Sequence, residues 1–196
     1  MQVLLLTGYK NSGKDTFFTN RFSLNEKYII LGRDKNTTFP EIKETSVRLS
    51  WAENVRKLVA LDYPQFNGLN YDQCKDDPKY AIDGKTWRDI INEYTHRYPK
   101  SHWVDISMDE IYNNEQTIIT DFRYPEMYTR LCTFIDPSKI ISCRIFRDVP
   151  IGTDENEHFL DNFTTDFILL TDSNDIPKLI QLFPQYSNFK KITFAE

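Results

Sequence analysis

Apolar residues along this chain fall into short unbroken bursts, and the stretches between several of them repeat their apolar positions at helical spacing. The bursts at 3–7, 27–31, 116–120, 139–146 and 166–170 read as strands. Their apolar residues are consecutive more than alternating, as in Val3-Leu4-Leu5-Leu6, so both faces of the sheet are covered. That pattern belongs to a mostly parallel sheet between two helical layers. Helices are predicted over 13–22, 51–61, 86–98, 125–132 and 175–183. Pro125 suits a first helical turn, and Asp175 can cap the helix that contains Pro177. Residues 32–45 are polar without a clear period and predict a loop or a displaced edge. Residues 67–84, rich in Asp, Asn, Lys and Pro, predict an insertion over the active face.

Composition narrows the class. A chain of 196 residues with 40% hydrophobic content can bury the core of one α/β domain spanning 1–196. A net charge of −5 argues against a surface that binds nucleic acid or acidic lipid without specificity, and leaves room for a small anion. Cys74, Cys132 and Cys143 show no metal-ligand spacing and read as free thiols of a reducing compartment. The apolar runs are far shorter than a membrane span, and the chain begins at once with a core strand. A soluble, cytoplasmic protein is expected.

The strongest chemical signal follows the first strand. Gly8-Tyr9-Lys10-Asn11-Ser12-Gly13-Lys14-Asp15-Thr16 is the arrangement that cradles a nucleotide triphosphate. Gly8 permits a tight turn, Gly13 lets backbone N–H groups approach phosphate without a Cβ in the way, and the next helix directs its positive end at the anion. Lys14 supplies a mobile charge that can follow the γ-phosphate. The residue after the lysine, ordinarily the Ser or Thr that ligates Mg²⁺, is Asp15, with Thr16 one place on, so either can face the metal.

Further candidates sit at strand ends. The strand 116–120 ends in Asp121, able to reach the metal shell through water, and Arg123 follows two residues later. A guanidinium there can neutralise phosphoryl oxygens with bidentate geometry; the plain alternative is a salt bridge at a strand terminus. Arg88 and Arg97 share a helical segment that can present a cation to a second phosphate, or simply a solvated face. Trp51, at a helix start, can stack on a base or fill the core. Arg144 and Arg147 close the fourth strand ahead of a lid-like stretch at 148–158, where closure would exclude water from the donor. His96, His102 and His158 have no ligand spacing and read as surface or packing residues.

Taken in order, these segments resemble the deoxynucleoside monophosphate kinases of phages and large DNA viruses. The likeness rests on the loop ending Ser12-Gly13-Lys14-Asp15-Thr16, on Ser50-Trp51-Ala52-Glu53-Asn54-Val55-Arg56, and on Thr86-Trp87-Arg88-Asp89-Ile90-Ile91. It extends to Thr120-Asp121-Phe122-Arg123-Tyr124-Pro125-Glu126 and to the stretch from Asn156-Glu157-His158-Phe159-Leu160-Asp161 to Thr165-Asp166-Phe167. Where the family has a Gly-Thr pair after its substrate helix this chain has Tyr94-Thr95, and Asn54 replaces a proline. The resemblance implies a three-layer α/β P-loop kinase with a mobile lid, ATP as donor, Mg²⁺ as cofactor and a deoxynucleoside monophosphate as acceptor. It implies donor contacts from Gly8, Lys10, Asn11, Ser12, Gly13, Lys14, Asp15, Thr16 and Arg144. Acceptor contacts would come from Trp51, Arg56, Arg88, Arg97, Trp103 and Arg123. Lys14, Asp121, Arg123 and Arg147 would carry the transfer, with Asp15, Thr16 and Asp121 around the metal; a homodimer is also implied. Animal-type phosphomevalonate kinase shares the loop and a similar Asp-x-Arg segment, but usually with two adjacent arginines where this chain has Arg123-Tyr124. A non-catalytic nucleotide-binding switch would need the loop alone.

Overall fold

The seven strands of the sheet are β1 (Gln2–Thr7), β2 (Ile29–Gly32), β3 (Val47–Leu49), β4 (Gln116–Ile119), β5 (Ile140–Phe146), β6 (Phe167–Leu170) and β7 (Lys190–Ile192). The computed structural model describes residues 1–9, 12–34, 37–147 and 158–193, except for the side chain of Asp15. Strand order is β3-β4-β1-β5-β6-β2-β7. The first five in that order run parallel, while β2 is antiparallel to both of its neighbours. The sheet is therefore mostly parallel, as expected, with β2 as the reversed strand. The two three-residue strands β3 and β7 escape sequence reading, because three residues carry too little pattern and two of those in β7 are exposed lysines.

Side-chain alternation along β1 sets the layers. Leu4 and Leu6 face one side, where Phe17 of α1 (Lys14–Thr19) and Leu24 of α2 (Leu24–Lys27) pack with Cys143, Ile145, Phe167 and Leu169. Val3 and Leu5 face the other side, covered by α3 (Trp51–Asp62), α4 (Tyr71–Cys74), α5 (Trp87–Arg97), α6 (His102–Asp105), α7 (Met108–Tyr112) and α8 (Pro125–Leu131). On that same side, at the β6 and β2 end, α9 (Ile176–Leu182) covers Phe146, Ile168 and Leu170. Three layers result.

Helix ends follow local chemistry. α1 ends at Thr19, short of the predicted 13–22, and just past its end Arg21 donates to the Phe18 carbonyl at 3.0 Å and lies over the Phe18 and Phe22 rings. α5 begins with a reciprocal capping box between Thr86 and Asp89. Pro125 occupies the first turn of α8.

Two polar stretches are tied down by buried anchors. In the 32–45 loop Phe39 is fully buried, and its N–H donates to the Thr193 carbonyl. Buried Gln116 holds the same loop: its amide donates to Gln2 and to the Glu41 carbonyl, and its oxygen accepts the Lys43 N–H. The expected insertion at 67–84 packs onto α5 through Cys74 and Tyr71, beside a parallel stack of Phe66 on Trp87 at 4.6 Å. Cys74 and Cys143 are buried, all three cysteines are free thiols, and burial pushes the Cys143 thiol well above its ordinary pKa. Among the described residues no helix is long and apolar enough to cross a membrane.

Candidate functional site

Because β4, β1 and β5 are parallel neighbours, the segments leaving Ile119, Thr7 and Phe146 open on the same edge of the sheet. Gly8 leaves β1 with φ +146°, and a Cβ there would lie 2.4 Å from the Ile145 carbonyl oxygen and 2.6 Å from Ser12 Oγ. Both conformation and space demand glycine. The loop then folds back, with the Ser12 N–H donating to the Tyr9 carbonyl at 3.1 Å. Gly13, at φ +101°, opens α1. Lys14 Nζ donates to the carbonyl oxygens of Gly8 at 2.6 Å and Tyr9 at 2.9 Å. Ser12 is 2% exposed, and its buried hydroxyl finds no hydrogen-bond partner among the described residues. A buried polar atom left unsatisfied is costly, and a loop holding one beside a lysine suits an incoming anion. Lys10 and Asn11, expected to contribute amides, lie outside the described residues.

Asp121 follows β4 at this edge, where the Phe122 N–H donates to the Leu6 carbonyl and pins the turn against β1. Its carboxylate accepts three hydrogen bonds: Ser50 Oγ at 2.9 Å, the Trp51 N–H at 3.0 Å and the Ala52 N–H at 2.7 Å. Sequence reading put this carboxylate near the metal; the structure commits both its oxygens to the first turn of α3. Arg123 is exposed and makes no hydrogen bond or ion pair with a described residue, and the same holds for Arg147, directly past β5. The stretch 148–157, most of the expected lid, lies outside the described residues.

Other expected contacts are placed differently. Trp51 and Trp103, 2% and 1% exposed, are core residues, so neither offers a face to a base. Trp51 meets Phe122 edge-on, and Trp103 lies against Tyr98 and His102. Arg144, expected at the donor, is buried on the α9 side of β5: it bonds the Leu160 carbonyl, reaches Tyr186 Oη at 3.3 Å and lies over the Phe183 ring. Side-chain alternation turns it inward, where a guanidinium needs interior partners. Arg88 forms a two-pronged pair with Asp76 at 2.5 and 2.7 Å, which raises its already high pKa. Arg56 lies over the Tyr71 ring and Arg97 over the Tyr94 ring. Thr16 is exposed on α1, while the backbone of Asp15 belongs to that helix.

Sequence reading overlooked two residues at this edge. Tyr9 donates its hydroxyl to Asp161 at 3.0 Å, and Lys100, whose pKa burial lowers, sits 4.7 Å over the Tyr124 ring next to Arg123. Asp161 had only a place in a familiar stretch, and nothing local marks its partner 152 residues away.

The described residues hold no cluster of three His, Cys, Asp or Glu side chains able to cage a metal. An exposed hydroxyl at Thr16 beside the loop fits a Mg²⁺ that takes most of its ligands from phosphate and water. The chain matches no protein-family model and no curated protein.

Proposed function

We propose that this chain is a P-loop kinase that moves the γ-phosphate of ATP onto the 5′-phosphate of a deoxynucleoside monophosphate. The observation that carries the reading is the loop of Gly8, Ser12 and Lys14, on the same sheet edge as Arg123 and Arg147, where among the described residues the buried Ser12 hydroxyl and both guanidiniums find no partner. Backbone N–H groups of residues 10–14 grip the donor phosphates, and Lys14 exchanges its two carbonyl acceptors for phosphate oxygens. Arg123 orients the acceptor phosphate, Arg88 joins it by exchanging Asp76 for phosphate, and Arg147 approaches the donor. Thr16 and Asp15 would hold Mg²⁺, which neutralises phosphate charge when bound. An acceptor phosphate oxygen forms the new bond to the γ-phosphorus as the bond to the bridging oxygen breaks and ADP leaves. The acceptor is already an anion at neutral pH, so positioning and charge neutralisation suffice without a general base. Asp121 serves by fixing α3 and the turn that carries Arg123. A homodimer in the cytoplasm completes the proposal.

The deciding experiment measures ADP formation from ATP and Mg²⁺ with each deoxynucleoside monophosphate, and with phosphomevalonate. Saturable turnover with at least one nucleotide supports the reading. Turnover with phosphomevalonate alone assigns the small-molecule kinase instead, and ATP binding without turnover on any acceptor leaves a nucleotide-binding switch.

A further inference from the structure

We infer that Asp161 is a positioning residue for the phosphate loop, acting through the Tyr9 hydroxyl to fix the carbonyl on which Lys14 and Ser12 both rest. The inference builds on the reading of that loop as the ATP site. Asp161 lies in the turn between β5 and β6, and its backbone carbonyl is held by Gln185 Nε2 at 2.7 Å. One carboxylate oxygen accepts the Tyr9 hydroxyl at 3.0 Å and stands 3.8 Å from Arg144 Nη1; the other meets His158 Nδ1 at 2.8 Å. Arg144 is 2% exposed, and Asp161 is its carboxylate partner among the described residues, so the buried guanidinium anchors the acid to the sheet.

Tyr9 is itself 6% exposed, with its ring against Phe183 and His158. These contacts hold the side chain in place, and the main chain is tied to that position. The Tyr9 carbonyl accepts from both the Ser12 N–H and Lys14 Nζ, so a phenol held by Asp161 sets the loop's curvature before nucleotide arrives. Order paid in advance by folding is not charged against binding.

The test compares ATP affinity, by calorimetry with Mg²⁺, with thermal stability in the full chain for wild type, Tyr9→Phe, Asp161→Ala and the double variant. Tyr9→Phe keeps the ring packing and removes only the hydroxyl. The expected result is an ATP Kd raised roughly 5–10-fold in Tyr9→Phe, the part of the lost bond that had preorganised the loop for nucleotide. Its Tm should fall by only about 3–6 °C, leaving the protein folded, and Tyr9→Phe should add nothing in the Asp161→Ala background. An unchanged Kd in Tyr9→Phe, or effects that simply add, overturns the inference and leaves the loop reading standing. Wild-type protein that fails to bind ATP overturns both. Should Asp161→Ala not fold, because Arg144 has lost its partner, the Kd of Tyr9→Phe alone decides.

Discussion

The Asp121 carboxylate accepts the Ala52 N–H at 2.7 Å, and this bond joins the carboxyl end of β4 to the first turn of α3. The same group takes the Trp51 N–H and the Ser50 hydroxyl, while Ser50 caps α3 through the Glu53 N–H. Two elements 69 residues apart thus share one anion at a positive helix end, an arrangement that a strand-terminal acid in sequence does not announce.

Asp121→Ala should destabilise the fold by about 1–3 kcal/mol, the loss of a charged helix cap and its partly buried bonds. Asp121→Asn should recover part of that, since its one oxygen still accepts an amide. Urea denaturation at neutral pH measures both. Stability equal to wild type in Asp121→Ala would remove the clamp from the account of α3.

Lys14→Ala should abolish turnover and leave the fold intact. The ammonium makes its resting bonds to the partly buried carbonyls of Gly8 and Tyr9, which are replaceable by water, and the proposed chemistry needs its charge on the moving phosphoryl group. Circular dichroism and ADP production, measured together, check it; near-normal activity would defeat the proposed function.

Gly8 and Gly13 both hold positive φ, yet they should respond unequally to alanine. At Gly8 the new methyl would meet the Ile145 carbonyl oxygen at 2.4 Å, whereas at Gly13 the nearest neighbour is Thr16 Cβ at 3.9 Å. Gly13→Ala therefore carries backbone strain alone, about 1–3 kcal/mol, and Gly8→Ala should cost more or prevent folding. Thermal melts of the two variants rank them, and an equal cost would refute the steric argument.

Arg123→Met and Arg88→Met separate a cation with no partner among the described residues from one paired with Asp76. Arg123 has no hydrogen bond or ion pair with a described residue, so its loss should leave Tm unchanged and raise the acceptor KM at least about tenfold. Arg88→Met breaks the pair with Asp76, an exposed pair worth about 0–1 kcal/mol, and should also raise acceptor KM if phosphate displaces Asp76. An unchanged acceptor KM in Arg123→Met would remove it from the acceptor site.

Acid should weaken the capping box of α5. Hydrogen bonds from the Thr86 hydroxyl and N–H hold the Asp89 carboxyl below the usual carboxylate range. A group whose pKa is lowered by folding binds fewer protons in the native state, so its contribution is complete above the unfolded value, about 4, and is lost as pH falls through the folded value. Urea midpoints between about pH 6 and 3 should fall, and Asp89→Asn should flatten that slope. An unaltered slope would show that the box does not titrate with folding.

Local pattern made much of this protein legible. Consecutive apolar residues marked β1, β2, β4, β5 and β6, helical spacing marked α1, α3, α5, α8 and α9, and glycine at fixed offsets before Lys14 marked the loop. Each is a short-range signal, because burial imposes a period and a positive φ imposes glycine wherever they occur.

Tertiary structure decided where the charges and large aromatics went. It reversed β2 between β6 and β7, buried Trp51, Trp103 and Arg144, gave Arg88 to Asp76 and Asp121 to α3, and set Tyr9 against Asp161. A polar side chain takes its role from whichever partner strand register and helix packing bring within about 3 Å. In this chain those partners lie 12 to 152 residues away, where no sequence period can reach them.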